Sequence, residues 1–162
     1  MKNPTSNTLT ETRILKGAVI AGIINGSING AIQLFLLQGK APIALTVNSI
    51  TNDTTTVLGE AVPLAVTLAM ILTVIGYLTL KQAKRPFWPD VVWLTIKHGM
   101  FAFGVVVSGA ILWQRVMGSV SVSLIGATLV MSVIAGLVAA TANYMTIHAS
   151  RLPLGQPVRA TA

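Results

Sequence analysis

The chain has 162 residues, of which 53% are apolar and 9% are charged, and its formal net charge is +7. Soluble domains carry about 25% charged residues, so this composition argues against a water-soluble protein and favours a chain that lies in lipid. The absence of cysteine excludes disulfides, thiolate metal sites and cysteine nucleophiles. The basic charge does not indicate nucleic-acid binding, because no basic patch is interleaved with aromatic residues.

Four apolar runs follow one another along the chain, at about 14–37, 58–80, 91–113 and 120–147. Each has the ~20 residues that a membrane-spanning helix needs, and in lipid such a segment has to satisfy its own backbone hydrogen bonds. We therefore predict an all-α protein, a single membrane domain over residues 1–162 that folds as a four-helix bundle. A non-cytoplasmic loop covers residues 38–57, and residues 151–162 form a flexible C-terminal tail.

The first run carries two stripes of residues that are unusual for a lipid-facing helix. Glycine and amide residues each recur every four positions, as Gly22, Gly26 and Gly30 and as Asn25, Asn29 and Gln33. A glycine stripe lets another helix approach closely, and amides are costly in lipid, so this face should be buried. Two readings of the amides stay open: hydrogen bonds within tight helix packing, or the lining of a polar path or binding site. The run is too long for the ~7–15 apolar residues of a signal peptide, so we interpret it as a retained span.

The loop that follows has a β-prone part, Thr46–Ile50, and then a polar, turn-like part, Thr51–Thr56. A cap over the bundle, the lining of an entrance and a plain connector all fit this composition. Asn52 begins a glycosylation pattern, which matters only if the chain passes through a eukaryotic secretory pathway.

The second run begins with a carboxylate, Glu60, three residues before Pro63. The helix dipole favours a negative charge at this end, which predicts an interfacial residue. If the helix instead begins near Leu58, Pro63 frees the Gly59 carbonyl and Glu60 becomes a candidate proton or cation site.

The third run contains a strongly polar pair, Lys97 and His98. Lys97 is long enough to reach back to the lipid head groups. His98 is not, and we expect it to hydrogen-bond inside the bundle, where the fourth run is a candidate partner. A haem between His98 and His148 is disfavoured, because their depths differ by about 10 Å along the helices. Two histidines without clustered carboxylates also disfavour a metal site, so we predict neither metal nor cofactor.

The fourth run carries a second face of small residues, formed by Ser132, Gly136 and Ala140 at four-residue spacing. Such a face permits close helix contact. We expect it to pack against the first run or against another protomer.

Basic residues between the runs predict the orientation. The N-terminal segment, the connection between the second and third runs and the C-terminal tail hold eight lysines and arginines, against two on the opposite side. The positive-inside rule therefore predicts that both termini are cytoplasmic, in a plasma or bacterial inner membrane. Trp93 and Trp113 are twenty residues apart, which is about 30 Å along a helix and suits one tryptophan at each interface.

No arrangement of nucleophile, base and orienting group is recognisable, and we expect no enzyme activity. The leading hypothesis is a small oligomeric channel or transporter with an intramembrane polar path. The candidate residues for that path are Asn25, Asn29, Gln33, Glu60, Lys97 and His98. The alternative is a non-catalytic accessory or scaffold subunit of a larger membrane complex. The expected partners are the lipid bilayer and either further copies of the chain or that complex.

Overall fold

The computed structural model describes residues 4–39, 43–46, 56–80 and 86–150, with side chains from residue 11 onward. Most of the predicted loop, the glycosylation pattern at Asn52 and the predicted C-terminal tail lie outside these ranges. The described part of the chain contains four long helices and two short strands. They are α1 (Pro4–Leu36), β1 (Ile43–Leu45), α2 (Val57–Thr79), α3 (Val92–Met117), β2 (Val120–Val122) and α4 (Leu124–Ser150).

The prediction of four apolar helices is confirmed, and each one is long and apolar enough to cross a membrane. α1 has 33 residues, a length of about 50 Å, which exceeds the ~30 Å of a bilayer core. Its additional turns precede the predicted span. α3 is preceded by a kinked segment, Phe87–Val91, in which the backbone of Trp88 is extended (φ −106°, ψ 132°). The chain is therefore compatible with a multi-pass membrane protein.

Local polar contacts fix the N-terminal ends of α2 and α4. The Thr56 hydroxyl accepts a hydrogen bond from the Gly59 backbone N–H at 3.2 Å and caps the start of α2. The Ser123 hydroxyl accepts one from the Gly126 N–H at 3.2 Å at the start of α4. α4 thus begins four residues later than the predicted span, because Val120–Val122 is a strand instead.

β1 and β2 pair antiparallel, with Ile43 opposite Val122 and Leu45 opposite Val120. Gly118, with a φ of 71°, makes the turn between α3 and β2. Ser119 connects Thr46, which follows β1, to Gln114 of α3. Its hydroxyl donates a hydrogen bond to Thr46 Oγ1 at 3.3 Å and accepts one from Gln114 Nε2 at 3.0 Å. The part of the predicted loop that the structure describes next to β1 therefore forms a cap at this end of the helices. We call this end of the molecule the strand end, and the other the α2–α3 end.

The helices pack in the spatial order α1, α4, α2, α3. α1 packs against α4, and α2 packs against both α4 and α3, whereas α3 and α4 barely touch and α1 has no comparable contact with α2 or α3. The four helices therefore form an open layer, in which α3 and α4 do not close on each other. α4 carries small residues on two of its faces. One face packs closely against α1 and the other against α2.

The interface between α2 and α4 is built from alanine and other small side chains. Its fully buried small members are Ala61, Ala65, Ala69 and Thr73 on α2, and Ala127, Ala135, Ala139 and Thr146 on α4, and the larger Met131 of α4 is buried with them. A Cβ added to Gly76 would lie 3.3 Å from the Thr146 methyl carbon, which shows how closely the two backbones approach. In lipid, dispersion at this short distance takes the place of the hydrophobic effect as the main packing force.

Candidate functional site

A groove runs between α3 and α4 because both helices contact α2 but scarcely contact each other. Its volume is about 330 Å³. Val105 and Gly109 line it on α3, Leu137 and Thr141 line it on α4, and Ala69 of α2 is at its floor. Nearly all of the groove wall is apolar, and one long side is open to the surroundings of the helix layer.

His98 is the ionisable residue of this groove, whose lining also includes Thr141 and Trp113. Its side chain is 4% exposed, and its Nδ1 lies 2.9 Å from Thr73 Oγ1 of α2 and 3.3 Å from Thr146 Oγ1 of α4. The expected hydrogen bond from His98 to the fourth helix is therefore present, together with a shorter one to the second. One imidazole links three helices, which fixes the ring at the end of the groove nearer to the α2–α3 end.

The hydrogen bonds of Thr73 favour one tautomer of a neutral His98. The Thr73 hydroxyl donates to the Ala69 carbonyl at 2.7 Å, and a hydroxyl has one proton to give. Its oxygen therefore accepts from Nδ1–H of His98. The Nε2 atom then carries the lone pair and is an acceptor. Among the described residues no side chain or carbonyl bonds to Nε2, so a donor from a bound molecule can pair with it.

The groove extends along most of α3. It includes His98 near one end and Trp113 near the other, a separation of fifteen residues and thus about 22 Å. Leu45 of β1 also lines it at the strand end. A molecule in the groove would therefore contact both ends of the apolar layer.

The glycine stripe of α1 lies against the small-residue face of α4. A Cβ on Gly22 would come within 2.8 Å of the Gly136 carbonyl oxygen and 3.0 Å of the Ala140 Cβ. A Cβ on Gly26 would come within 2.9 Å of the Ser132 carbonyl oxygen, and one on Gly30 within 2.7 Å of the Ser132 hydroxyl. Only glycine permits these contacts. The six predicted packing residues thus meet within one chain.

The amide stripe lies on the flank of this contact. Asn25 and Asn29 are half-buried, and each donates a hydrogen bond to a carbonyl of its own helix, Ala21 O at 2.8 Å and Asn25 O at 2.9 Å. Gln33 is half-buried on the same line. Because α1 makes no substantial contact with α3, these amides do not share a site with His98 in one copy of the chain.

Glu60 and Lys97 are also apart from His98. Glu60 is exposed in the first turn of α2, thirteen residues before Thr73 and therefore about 20 Å away along the helix. α2 begins at Val57, so Pro63 lies inside it. Lys97 is exposed on α3, with its Nζ 5.5 Å from the centre of the Trp93 ring. The residues of the predicted polar path therefore do not come together in a single chain. The path stays a prediction for an assembly of several chains.

His148 is exposed on α4, and its ring centre lies 6.0 Å from that of Tyr144. In the part of the chain that the structure describes, no three His, Asp or Glu side chains come together as a metal site would require.

Sequence reasoning missed the residues that define the groove. Thr73 and Thr146 resemble many other threonines in apolar runs, most of which bond to their own helix. Thr67 and Thr79 of α2 do so here. Nothing in the sequence pattern distinguishes the two that face His98, and the groove itself depends on the spatial order of the helices.

Comparison with protein-family models, with characterised proteins and with solved structures finds no match for this chain. Any function assigned to the groove therefore has to be argued from its geometry.

Proposed function

We propose that the protein is a small membrane transport protein that takes a lipid-soluble molecule from the bilayer into the groove between α3 and α4. The volume of about 330 Å³ falls within the ~300–1,000 Å³ typical of small-molecule sites. Apolar walls with a small number of polar groups are also typical of such sites. The observation that carries the proposal is the position of His98, held by Thr73 and Thr146 and facing this groove.

The chemistry of His98 defines the kind of molecule. Its Nε2 is an acceptor when the imidazole is neutral, so a ligand with a hydroxyl group satisfies it. The remainder of the ligand has to be largely apolar, because most of the wall, including Val105 and Leu137, offers no hydrogen bonds, although Thr141 and Trp113 also line the groove. The substrate class is therefore an amphiphile with a hydrocarbon body and a hydroxyl.

The length of the groove favours transport over simple storage. It covers about 22 Å of α3 between His98 and Trp113, most of the thickness of a bilayer core. A polar group that moves along this groove is shielded by protein on three sides. In this proposal both termini are cytoplasmic, and the α2–α3 end faces the cytoplasm.

An accessory role in a larger assembly is the second candidate, and the surface of α1 favours it. In the described part of the chain α1 packs substantially against α4 alone, and Asn25, Asn29 and Gln33 remain half-buried beside that contact. Amides in lipid gain from a further protein partner. The same surface would serve a homo-oligomer of the transport protein, as its predicted assembly requires. The mass of the complex purified from its native membrane separates the two.

Proteoliposomes provide the test of transport. Lysophosphatidylcholine with a fluorophore on its acyl chain has a hydrocarbon body and a free hydroxyl, and dithionite added outside bleaches only outward-facing probe. We expect the wild-type protein to expose the inner-leaflet probe to bleaching. Gly109→Leu fills open space in the groove, because no atom lies within 4 Å of a Cβ built at Gly109, and should abolish the effect.

Gly104→Leu is the matched control. Gly104 lies on the same helix, and a Cβ added to it would also have no atom within 4 Å, but it is not part of the groove wall. It should transport like the wild type. Bleaching no greater than in protein-free vesicles, or equal activity of the two leucine variants, would rule out the proposal.

A further inference from the structure

A second, smaller cavity lies at the α2–α3 end of the same pair of helices. Its volume is about 130 Å³, and it is lined by Asp90, Val91, Trp93, Leu94, Lys97, Ala149 and Ser150. Leu94 precedes His98 by one helical turn, and Ala149 follows the groove residue Met145 by one turn. The small cavity therefore continues the line of the groove along both helices.

Ser150 is a buried polar residue that lines this cavity. Its side chain is 2% exposed, and its hydroxyl has no hydrogen-bond partner in the described structure. A buried hydroxyl without a partner is costly, and such groups are rare in folded proteins. A ligand atom that bonds to the Ser150 hydroxyl would remove that cost.

The charges beside Ser150 specify the group further. Lys97 supplies an ammonium and Asp90 a carboxylate, and both line the cavity. A phosphate pairs with the lysine and accepts from the serine hydroxyl, whereas an ammonium pairs with the aspartate. A head group that carries both charges, such as phosphoethanolamine, matches this pair better than an anion alone.

We propose that the molecule bound between α3 and α4 is a single-chain phospholipid with a zwitterionic head group. This inference rests on the proposed function of the groove, which takes the acyl chain. The glycerol hydroxyl that such a lipid keeps, and that a diacyl lipid lacks, donates to His98 Nε2. The phosphate lies on Lys97 and Ser150, and the ammonium lies on Asp90.

Native mass spectrometry of the detergent-purified full chain tests this assignment. Four lipids are compared: monooleoylglycerol, which has the chain and hydroxyls without a charged head, oleoyl lysophosphatidylethanolamine, oleoyl lysophosphatidylglycerol and dioleoyl phosphatidylethanolamine. We expect lysophosphatidylethanolamine to bind about tenfold more tightly than monooleoylglycerol, the effect of one or two charge-assisted hydrogen bonds. Free phosphoethanolamine should not displace it, because the acyl chain supplies the remaining affinity.

Three variants assign the head-group contacts. Lys97→Gln should lower the affinity for lysophosphatidylethanolamine to that for monooleoylglycerol, and Asp90→Asn should abolish its preference over lysophosphatidylglycerol. Ser150→Ala should weaken both lysophospholipids without loss of folding, since its hydroxyl has no protein partner to lose. The controls are Lys16→Gln and Glu11→Gln, which change the net charge equally at exposed positions outside the cavity.

The possible failures are distinct. Equal affinity for monooleoylglycerol and the lysophospholipids, with no effect of Lys97→Gln, would overturn the head-group site. The groove would survive that result if Gly109→Leu still removed all binding. Tight binding of dioleoyl phosphatidylethanolamine would overturn the single-chain assignment. Displacement of the lysophospholipid by free phosphoethanolamine would show that the site binds the free head group rather than a lipid. Binding of none of the lipids would overturn the proposed function as well.

Discussion

The Ser132 hydroxyl of α4 donates a hydrogen bond of 2.6 Å to the Gly26 carbonyl of α1. This bond crosses the most extensive helix contact in the described part of the chain, and it is possible only because Gly26 brings its backbone against α4. A side chain on α1 at this point would separate the two groups. This hydrogen bond thus lies where the glycine stripe of α1 meets the small-residue face of α4.

Removal of this hydroxyl should have a modest cost. Hydrogen bonds between membrane helices contribute about 0.6 kcal/mol on average and up to about 1.7, so Ser132→Ala should lower the free energy of unfolding by an amount in this range. Unfolding in mixed micelles titrated with dodecyl sulfate measures it. Ser108→Ala, at an exposed position on α3, is the control and should have no effect. If Ser132→Ala lowers the free energy of unfolding no more than Ser108→Ala does, the hydrogen bond contributes nothing to stability.

Gly26→Ala should destabilise the protein more strongly. The added Cβ would lie 2.9 Å from the Ser132 carbonyl oxygen, and because this atom belongs to the backbone, α1 and α4 have to separate. Overpacking of this kind costs about 1–3 kcal/mol. The same micelle titration measures the change.

Gly17→Ala is the matched control on the same helix. No atom lies within 4 Å of a Cβ at Gly17, and alanine favours helix over glycine by up to about 1 kcal/mol. Gly17→Ala should therefore be neutral or stabilising. Equal destabilisation by both variants would contradict the packing of α1 on α4.

Thr73→Val should loosen His98. Without the Thr73 hydroxyl, Nδ1–H keeps only Thr146 Oγ1 at 3.3 Å, and the loss of a buried hydrogen bond costs about 1 kcal/mol. Thr67→Val controls for the lost bond to the helix backbone, since the exposed Thr67 hydroxyl bonds only to the Pro63 and Leu64 carbonyls. We expect a lower free energy of unfolding for Thr73→Val than for Thr67→Val. The difference should vanish in a His98→Leu background if the contact between Thr73 and His98 causes it.

The predicted orientation is testable because the chain has no cysteine. Single cysteines at Ser119, at the strand end, and at Thr5, near the N-terminus, can be treated with a membrane-impermeant maleimide on intact cells. The positive-inside rule predicts labelling of Ser119→Cys alone, with both sites labelled after lysis. Labelling of Thr5→Cys on intact cells would reverse the orientation, and with it the side of the membrane to which the α2–α3 end belongs.

The four helices followed from the sequence because a hydrocarbon solvent permits few solutions. A run of about 20 apolar residues has to satisfy its own backbone hydrogen bonds, and a helix does this without reference to the rest of the chain. The contact faces of α1 and α4 followed for a similar reason. Gly22, Gly26 and Gly30 mark where a backbone can be approached, and Ser132, Gly136 and Ala140 mark a second such place. A stripe of this kind is a local property of one helix.

The tertiary structure alone decided which helices are neighbours. Because α4 carries small residues on two faces, it lies between α1 and α2, and α3 is left with α2. That order opens the groove, separates Asn25 and Asn29 from His98, and brings Thr73 and Thr146 to the imidazole. It also aligns Asp90, Lys97 and Ser150 at one end. Each of these depends on a match between surfaces far apart in sequence, and hydropathy and charge along the chain contain no information about such a match.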